Sequence, residues 1–152
     1  MTRLYLMRHG QTLFNTLNRI QGWCDSPLTE KGREQARQVR AYFEKHDTTF
    51  DQYYCTTTER ASDTIELATG RTDYQRVKGL KEMHFGIFEG QPEYLHPKIQ
   101  IQGHFGDHYA QFGGESQDQF VERVVASAKE IVERHPEQSI LAVSHEIGRA
   151  SC

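Results

Sequence analysis

Residues 139–145, SILAVSH, are a nearly continuous apolar run that ends in two polar side chains. A strand that is apolar on both faces is typical of a parallel sheet with helices packed on both sides. Ligands bind to such open sheets beyond the carboxyl ends of the strands. The stretch therefore predicts a buried strand that carries Ser144 and His145 to a binding site.

Upstream of this strand, the chain alternates between strand-like and helix-like segments. Strands are predicted for RLYLMR (3–8) and FDQYYCT (50–56), and with a weaker pattern for DYQRVKG (73–79). Amphipathic helices are predicted for 26–46, 58–68 and 117–134, the first with Thr29 as its N-cap. The alternation indicates an α/β fold with a mainly parallel sheet and helices on both faces.

The composition is that of one folded domain. The chain has 152 residues, 26% charged side chains and a mean hydropathy of −0.74. Its formal net charge of −3 provides no basic field for nucleic acid or anionic lipid, so neither is an expected partner. No segment resembles a signal peptide or a membrane span, which favours a cytoplasmic protein. The three cysteines, at positions 24, 55 and 152, lack metal-site spacing and are expected to be reduced thiols.

Candidate site residues, most of them charged or imidazole side chains, follow the predicted strands at the same end of the sheet. They are Arg8, His9 and Gly10 after the first strand, Arg60 after the second, Glu82 after the weak third, and Ser144 and His145 after the last. Arginine forks match phosphate oxygens, and a neutral imidazole is a good nucleophile. The set predicts phosphoryl transfer through a histidine.

Six segments resemble the successive motifs of a known family. They are RHGQTLFN, GWCDSPLTEKGREQA, TTTERASDT, LKEMHFGIFEG, GGES and AVSH. In this order they are similar to the motifs of the histidine phosphatase superfamily, the phosphoglycerate mutase-like proteins. The resemblance extends from Arg3 to His145, and it implies the phosphoglycerate mutase-like fold.

The resemblance also implies a role for individual residues. His9 would be the nucleophile that forms a phosphohistidine, with Arg8, Arg60 and His145 around the transferring oxygens. Glu82 would be the proton donor and then the base. Positions near the phosphate and the rest of the substrate are matched by Gly10, Asn15, Gln21 and Gly22. The implied ligand is a small phosphorylated metabolite, and the mechanism needs neither a metal nor another cofactor.

Two reactions and one non-catalytic alternative remain open from the sequence. The cofactor-dependent mutases of the family carry a long basic insertion after the proton-donor motif, whereas only about two dozen residues separate Gly90 from GGES here. This spacing favours a phosphatase over a mutase. A phospho-ligand-binding protein on the same fold is the third possibility, although binding alone would require neither His9 nor Glu82.

The stretch from Met83 to Gly114 is rich in glycine, histidine and aromatic residues without clear periodicity. It is predicted to be loop with short helical pieces. Its aromatic and histidine-rich part, from Tyr94 to Phe112, is interpreted either as a cap over the pocket that selects the substrate or as a packed loop. His104 and His108 share a helical spacing but have no cysteine or acidic partners in a metal-binding pattern, so no metal site is predicted.

The last seven residues, EIGRASC, equal the in-frame translation of a common short-read sequencing adapter. Residues 1–145 are therefore expected to form a histidine phosphatase domain that is truncated at its C-terminal end, without the last helix and strand of the fold. Residues 146–152 are expected to be a non-native tail. The oligomeric state is not predicted.

Overall fold

The computed structural model describes residues 1–98 and 104–145. The expected non-native tail, 146–152, lies outside the described residues, as does the segment 99–103 of the histidine-rich loop. Cys152 is likewise outside them.

Four parallel strands form one sheet in the order β1-β4-β2-β3. Their bounds are Arg3–Arg8 (β1), Gln52–Cys55 (β2), Gln75–Arg76 (β3) and Ser139–Ser144 (β4). The predicted parallel sheet is confirmed, and β4 lies between β1 and β2 as expected for a strand that is apolar on both faces. The third strand is much shorter than its predicted segment, because a 3₁₀ turn begins at Lys78 and the two paired residues are polar and exposed.

The predicted helices are confirmed, with one addition. Their bounds are Leu13–Thr16 (α1), Glu30–Lys45 (α2), Glu59–Thr69 (α3) and Gln117–Arg134 (α4). The Thr29 hydroxyl accepts a hydrogen bond from the Gly32 N–H at 3.1 Å, as the predicted N-cap requires. α1 is a single turn, too short to show a helical period, and so it was not predicted. None of the helices in the described part of the chain is long and apolar enough to cross a membrane.

Helices pack on both faces of the sheet at its central strand, β4. On one face, Ile140 and Ala142 of β4 pack in a cluster with Ile131 of α4. On the other face, Val143 of β4 packs in a cluster with Ile65 of α3, and α2 packs in turn against α3. The alternating side chains of one strand thus face two different helical layers, as the predicted fold class requires.

The stretch from Met83 to Gly114 is, where described, a packed loop. It contains the 3₁₀ helices Gly86–Phe88, Glu93–Leu95 and Tyr109–Phe112. Tyr109 is fully buried in a cluster with Phe85 and Met83, and its hydroxyl is hydrogen-bonded to Nδ1 of His96. The described part of residues 94–112 therefore fits the packed-loop alternative better than a cap over the pocket.

Candidate active site

His9 directly follows β1, and only 8% of its surface is exposed. Its N–H donates to the Ser144 carbonyl at 3.1 Å, which ties it to the end of β4. Nδ1 of its ring lies 2.8 Å from the Gly10 carbonyl oxygen. Because a carbonyl oxygen can only accept, Nδ1 carries the proton, and the lone pair of the neutral ring is on Nε2.

The imidazole of His9 is held in its neutral form. Burial, and then the positive charge of Arg60, lower its pKa from 6.5 to about 4, and Arg8 adds a smaller effect in the same direction. At neutral pH, Nε2 is therefore unprotonated and can act as a nucleophile.

His145 lies beside His9, at the end of β4. The two ring centroids are 5.3 Å apart, with an edge-to-face arrangement. Nη2 of Arg60 donates to Nδ1 of His145 at 3.1 Å, so the ring proton of the neutral form is on Nε2. That buried Nε2 has no hydrogen-bond partner among the described residues. Burial, then Arg60 and His9, hold the pKa of His145 well below its ordinary value. His145 can therefore donate one hydrogen bond to a ligand.

Arg60, in the first turn of α3, is completely buried and fixed by four partners. Besides His145, Nη2 donates to the Gly22 carbonyl at 2.8 Å, and Nη1 donates to the Cys24 carbonyl at 2.8 Å. Nη1 also forms an ion pair with Asp25 at 2.9 Å. Its Nε has no partner in the described part of the chain. The guanidinium is thus rigidly oriented beside the two histidines.

The loop that holds Arg60 is itself held by Glu89. The carboxylate of Glu89 accepts hydrogen bonds from the N–H groups of Gly22, Trp23, Cys24 and Phe85, at 2.8 to 3.1 Å. Burial alone would raise the pKa of Glu89, but these hydrogen bonds and the Cys24 thiol lower it below its ordinary value. The carboxylate is therefore ionised, and it turns the Gly22 and Cys24 carbonyls toward Arg60.

Replacing Glu89 with glutamine is expected to lower the free energy of unfolding by about 2–3 kcal/mol, because the amide has one acceptor oxygen and its NH₂ group faces backbone donors. Urea denaturation measures this loss. Glu93→Gln is the matched control, since Glu93 is exposed on a nearby 3₁₀ helix. Equal urea midpoints for the two variants would contradict the role given to Glu89.

A cavity of about 350 Å³ opens beside His9. Its lining residues are Arg8, His9, Gly10, Gln11, Asn15 and Gln35. Four of these were predicted from the sequence, whereas Gln11 and Gln35 were not. The Gln11 N–H donates to Oε1 of Gln35 at 2.9 Å, which joins the loop after β1 to α2. A polar helix residue such as Gln35 carries no signal in the sequence that separates it from a solvated one.

Gly10 allows the loop after β1 to pack closely against α2 at the edge of the cavity. A Cβ atom at position 10 would lie 2.4 Å from the Gly32 carbonyl oxygen, and one at position 32 would lie 2.0 Å from the Gln11 carbonyl oxygen. Glycine within α2 is therefore required by backbone packing against the loop. The Gly10 N–H also donates to the Thr64 hydroxyl at 3.1 Å.

The remaining predicted site residues occupy different positions around this centre. Oε1 of half-buried Glu82 accepts from the Met83 N–H at 2.9 Å. Oδ1 of Asn15 caps α1 by accepting from the Thr12 N–H at 2.9 Å. The residues that line the cavity do not include Arg60, Glu82, His145, Gln21 or Gly22. Nε2 of Gln21 donates to the Thr12 hydroxyl at 3.0 Å, so Gln21 braces the loop, while Gly22 holds Arg60.

Metal ligands do not cluster in residues 1–98 and 104–145: no group of three or more His, Cys, Asp or Glu side chains there could hold an ion. Cys24 and Cys55 are free thiols. Burial, and then the hydrogen bond to Glu89, raise the pKa of Cys24 to about 12, so this thiol near Arg60 stays protonated.

Comparison with known proteins links this site to one family. The family model of the histidine phosphatase superfamily (branch 1) matches residues 4–148. A 2,3-bisphosphoglycerate-dependent phosphoglycerate mutase of Lactobacillus acidophilus is 35% identical over 95 residues, which are 59% of this chain and 41% of the relative. The matched region thus spans about two fifths of the length of that curated relative.

Two solved structures share the fold over most of the chain. Phosphoglycerate mutase from Bacillus anthracis superposes with a TM-score of 0.80 and 29% identity, covering 93% of this chain and 74% of that one. Phosphoserine phosphatase from Entamoeba histolytica, solved in complex with 3-phosphoglyceric acid, superposes with a TM-score of 0.78 and 30% identity. This match covers 95% of this chain and 74% of that one. The fold is therefore phosphoglycerate mutase-like, and the chain belongs to the histidine phosphatase superfamily, whose members are phosphatases or mutases.

Proposed function

We propose that this protein is a phosphatase that hydrolyses small phosphate monoesters through a phosphohistidine at His9. The observation that carries the proposal is the hydrogen bond from Nδ1 of His9 to the Gly10 carbonyl, at 2.8 Å. It fixes the tautomer with the lone pair on Nε2, and the low pKa keeps that lone pair free at neutral pH.

The charges around His9 support phosphoryl transfer rather than another reaction of a nucleophile. Arg60 and His145 are hydrogen-bonded to each other beside the His9 ring, and Arg8 lines the cavity next to His9. Phosphoryl transfer depends mainly on positioning and on neutralising the negative charge of the transferring oxygens. Rigidly held guanidinium groups do both without reorganising during the reaction.

In the proposed first step, Nε2 of His9 attacks phosphorus and forms an N–P bond as the ester P–O bond breaks. The leaving alkoxide takes the proton of the Glu82 carboxyl group. In the second step, the Glu82 carboxylate takes a proton from water, whose oxygen attacks phosphorus as the N–P bond breaks. Inorganic phosphate leaves, and both side chains return to their starting forms.

Hydrolysis is favoured over the mutase reaction by the short connection between Gly90 and Gly113. A mutase must exclude water from the phosphoenzyme. The connection in this chain is much shorter than the long insertion of the cofactor-dependent mutases, so it offers less chain to cover the site. The substrate is proposed to be a small phosphorylated metabolite, as in the Entamoeba phosphatase bound to 3-phosphoglyceric acid.

The test compares two reactions of the same purified protein. We expect release of inorganic phosphate from p-nitrophenyl phosphate and from sugar phosphates. We expect no interconversion of 2-phosphoglycerate and 3-phosphoglycerate when the protein is primed with the bisphosphate. Interconversion without phosphate release would establish the mutase reaction instead. Ligand binding with neither reaction, and with no acid-labile phosphoenzyme, would establish the non-catalytic alternative.

A further inference from the structure

Two lysines lie over the ring of Trp23. The ammonium nitrogens of Lys81 and Lys78 are 4.5 Å and 5.1 Å from the ring centroid. Cation–π attraction to the indole can hold such groups in place at a partly exposed surface. Lys78 is exposed, while Trp23 and Lys81 are half-buried. We call Trp23, Lys78 and Lys81 the Trp23 patch.

Neither lysine of the Trp23 patch is paired directly with a carboxylate in the described part of the chain, and Glu89 and Asp25 act on Lys81 only from farther away. Arg123, whose guanidinium is also 6.0 Å from the ring centroid, forms an ion pair with Glu115 at 2.7 Å. In contrast, no carboxylate among residues 1–98 and 104–145 forms an ion pair with Lys78 or Lys81. Burial, and then the charge of Lys78, lower the pKa of Lys81, so the two ammonium groups repel each other. An anion bound between them would relieve this repulsion.

The Trp23 patch adjoins the candidate active site through two connections. Trp23 follows Gly22, whose carbonyl accepts from Arg60, and the indole Nε1 donates to the Glu82 carbonyl at 3.0 Å. Lys81 immediately precedes Glu82, the proposed proton donor. Its charge also contributes to the low pKa of His145, which places it within electrostatic range of the two histidines.

We propose that the Trp23 patch binds a second anionic group of the substrate, a carboxylate or a second phosphate, while His9 attacks the first phosphate. This rests on the proposed phosphatase function and specifies its substrate class as phosphate monoesters that carry another negative charge. Lys81 is the main specificity-determining residue, because it lies closest to both the indole and Glu82.

The kinetic test uses matched substrates that differ in the second charge. 3-Phosphoglycerate is paired with glycerol 3-phosphate to test the carboxylate, and fructose 1,6-bisphosphate with fructose 6-phosphate to test the second phosphate. We expect Lys81→Gln to lower kcat/KM about tenfold on 3-phosphoglycerate, fructose 1,6-bisphosphate or both, through KM, since one charge-assisted contact is lost. The loss of kcat/KM on glycerol 3-phosphate and fructose 6-phosphate should stay under about twofold. Lys129→Gln, which replaces an exposed lysine on α4, should change kcat/KM by less than about twofold on all four substrates. An equal loss on both members of each pair would overturn the proposal.

A binding measurement separates this proposal from the proposed catalysis. Trp23 is the only tryptophan of the chain, so its fluorescence reports directly on the Trp23 patch. In His9→Asn protein, which cannot turn the ligand over, 3-phosphoglycerate or fructose 1,6-bisphosphate should change this fluorescence at lower concentration than its matched partner without the second anionic group. Lys81→Gln in the same background should remove the difference. Equal responses to both members of each pair would refute the proposed anion binding by the Trp23 patch, even if phosphatase activity is found. A response that depends on the second charge, in a wild-type protein without phosphatase activity, would refute only the proposed phosphatase function.

Discussion

Replacing His9 with asparagine is expected to lower kcat/KM for phosphate release by at least about 10⁴-fold, the scale of removing a nucleophile. Asparagine can keep a polar contact with the Gly10 carbonyl, but its amide nitrogen has no lone pair available for attack. The same variant should form no acid-labile phosphoenzyme when it is mixed with a labelled substrate and quenched with base.

His46→Asn is the matched control for this substitution. His46 is an exposed histidine at the C-cap of α2, so its replacement should leave both turnover and phosphoenzyme formation unchanged. A His9→Asn protein that still accumulates an acid-labile phosphoenzyme would show that the nucleophile is another residue, with His145 as the next candidate.

Replacing Arg60 with lysine is expected to lower kcat by about 10² to 10³-fold, the effect of losing one transition-state donor. Lysine keeps the charge but cannot reproduce the planar fork that contacts two carbonyls, Asp25 and His145 at once. The loss should appear in kcat and kcat/KM alike, because the lost contacts orient the guanidinium that is proposed to stabilise the transition state.

Arg40→Lys provides the comparison for Arg60→Lys. Arg40 lies on α2 and forms an exposed ion pair with Glu44, so its replacement should change kcat by less than about twofold. Urea denaturation of both variants separates a catalytic effect from unfolding. A fall in stability with an unchanged kcat of the folded protein would mean that Arg60 acts only in structure.

The fold was predictable because its signals are local. The apolar stretch at Ser139–Ser144 and the polar N-cap at Thr29 each lie within one element, and the structure places the elements where these signals indicate. The shortness of β3 was not predictable, because it depends on a turn that begins at Lys78 rather than on the propensities of Gln75 and Arg76.

The centre of the candidate site was predictable for a different reason. Residues that follow parallel strands meet at one end of the sheet, and His9 and His145 do so. The role of Glu89 could not be predicted, because its four hydrogen-bond donors are supplied by two loops that meet only in the folded chain. Gln21, predicted to lie near the substrate, is hydrogen-bonded to Thr12 and Ser26, and its role toward the substrate stays a prediction.

The pairing of β1 with β4 also determines when the site can form. Arg3 lies opposite Ser139 and Arg8 opposite Ser144, so the two histidines come from nearly opposite ends of the described chain. Contacts of such long sequence separation form late and slowly, because closing the intervening loop costs chain entropy. During synthesis, His9 leaves the ribosome on the order of ten seconds before His145. Until β4 follows, β1 lacks the strand with which it pairs in the described sheet, and a nascent chain of this protein cannot yet assemble the pair of imidazoles on which the proposed phosphoryl transfer depends.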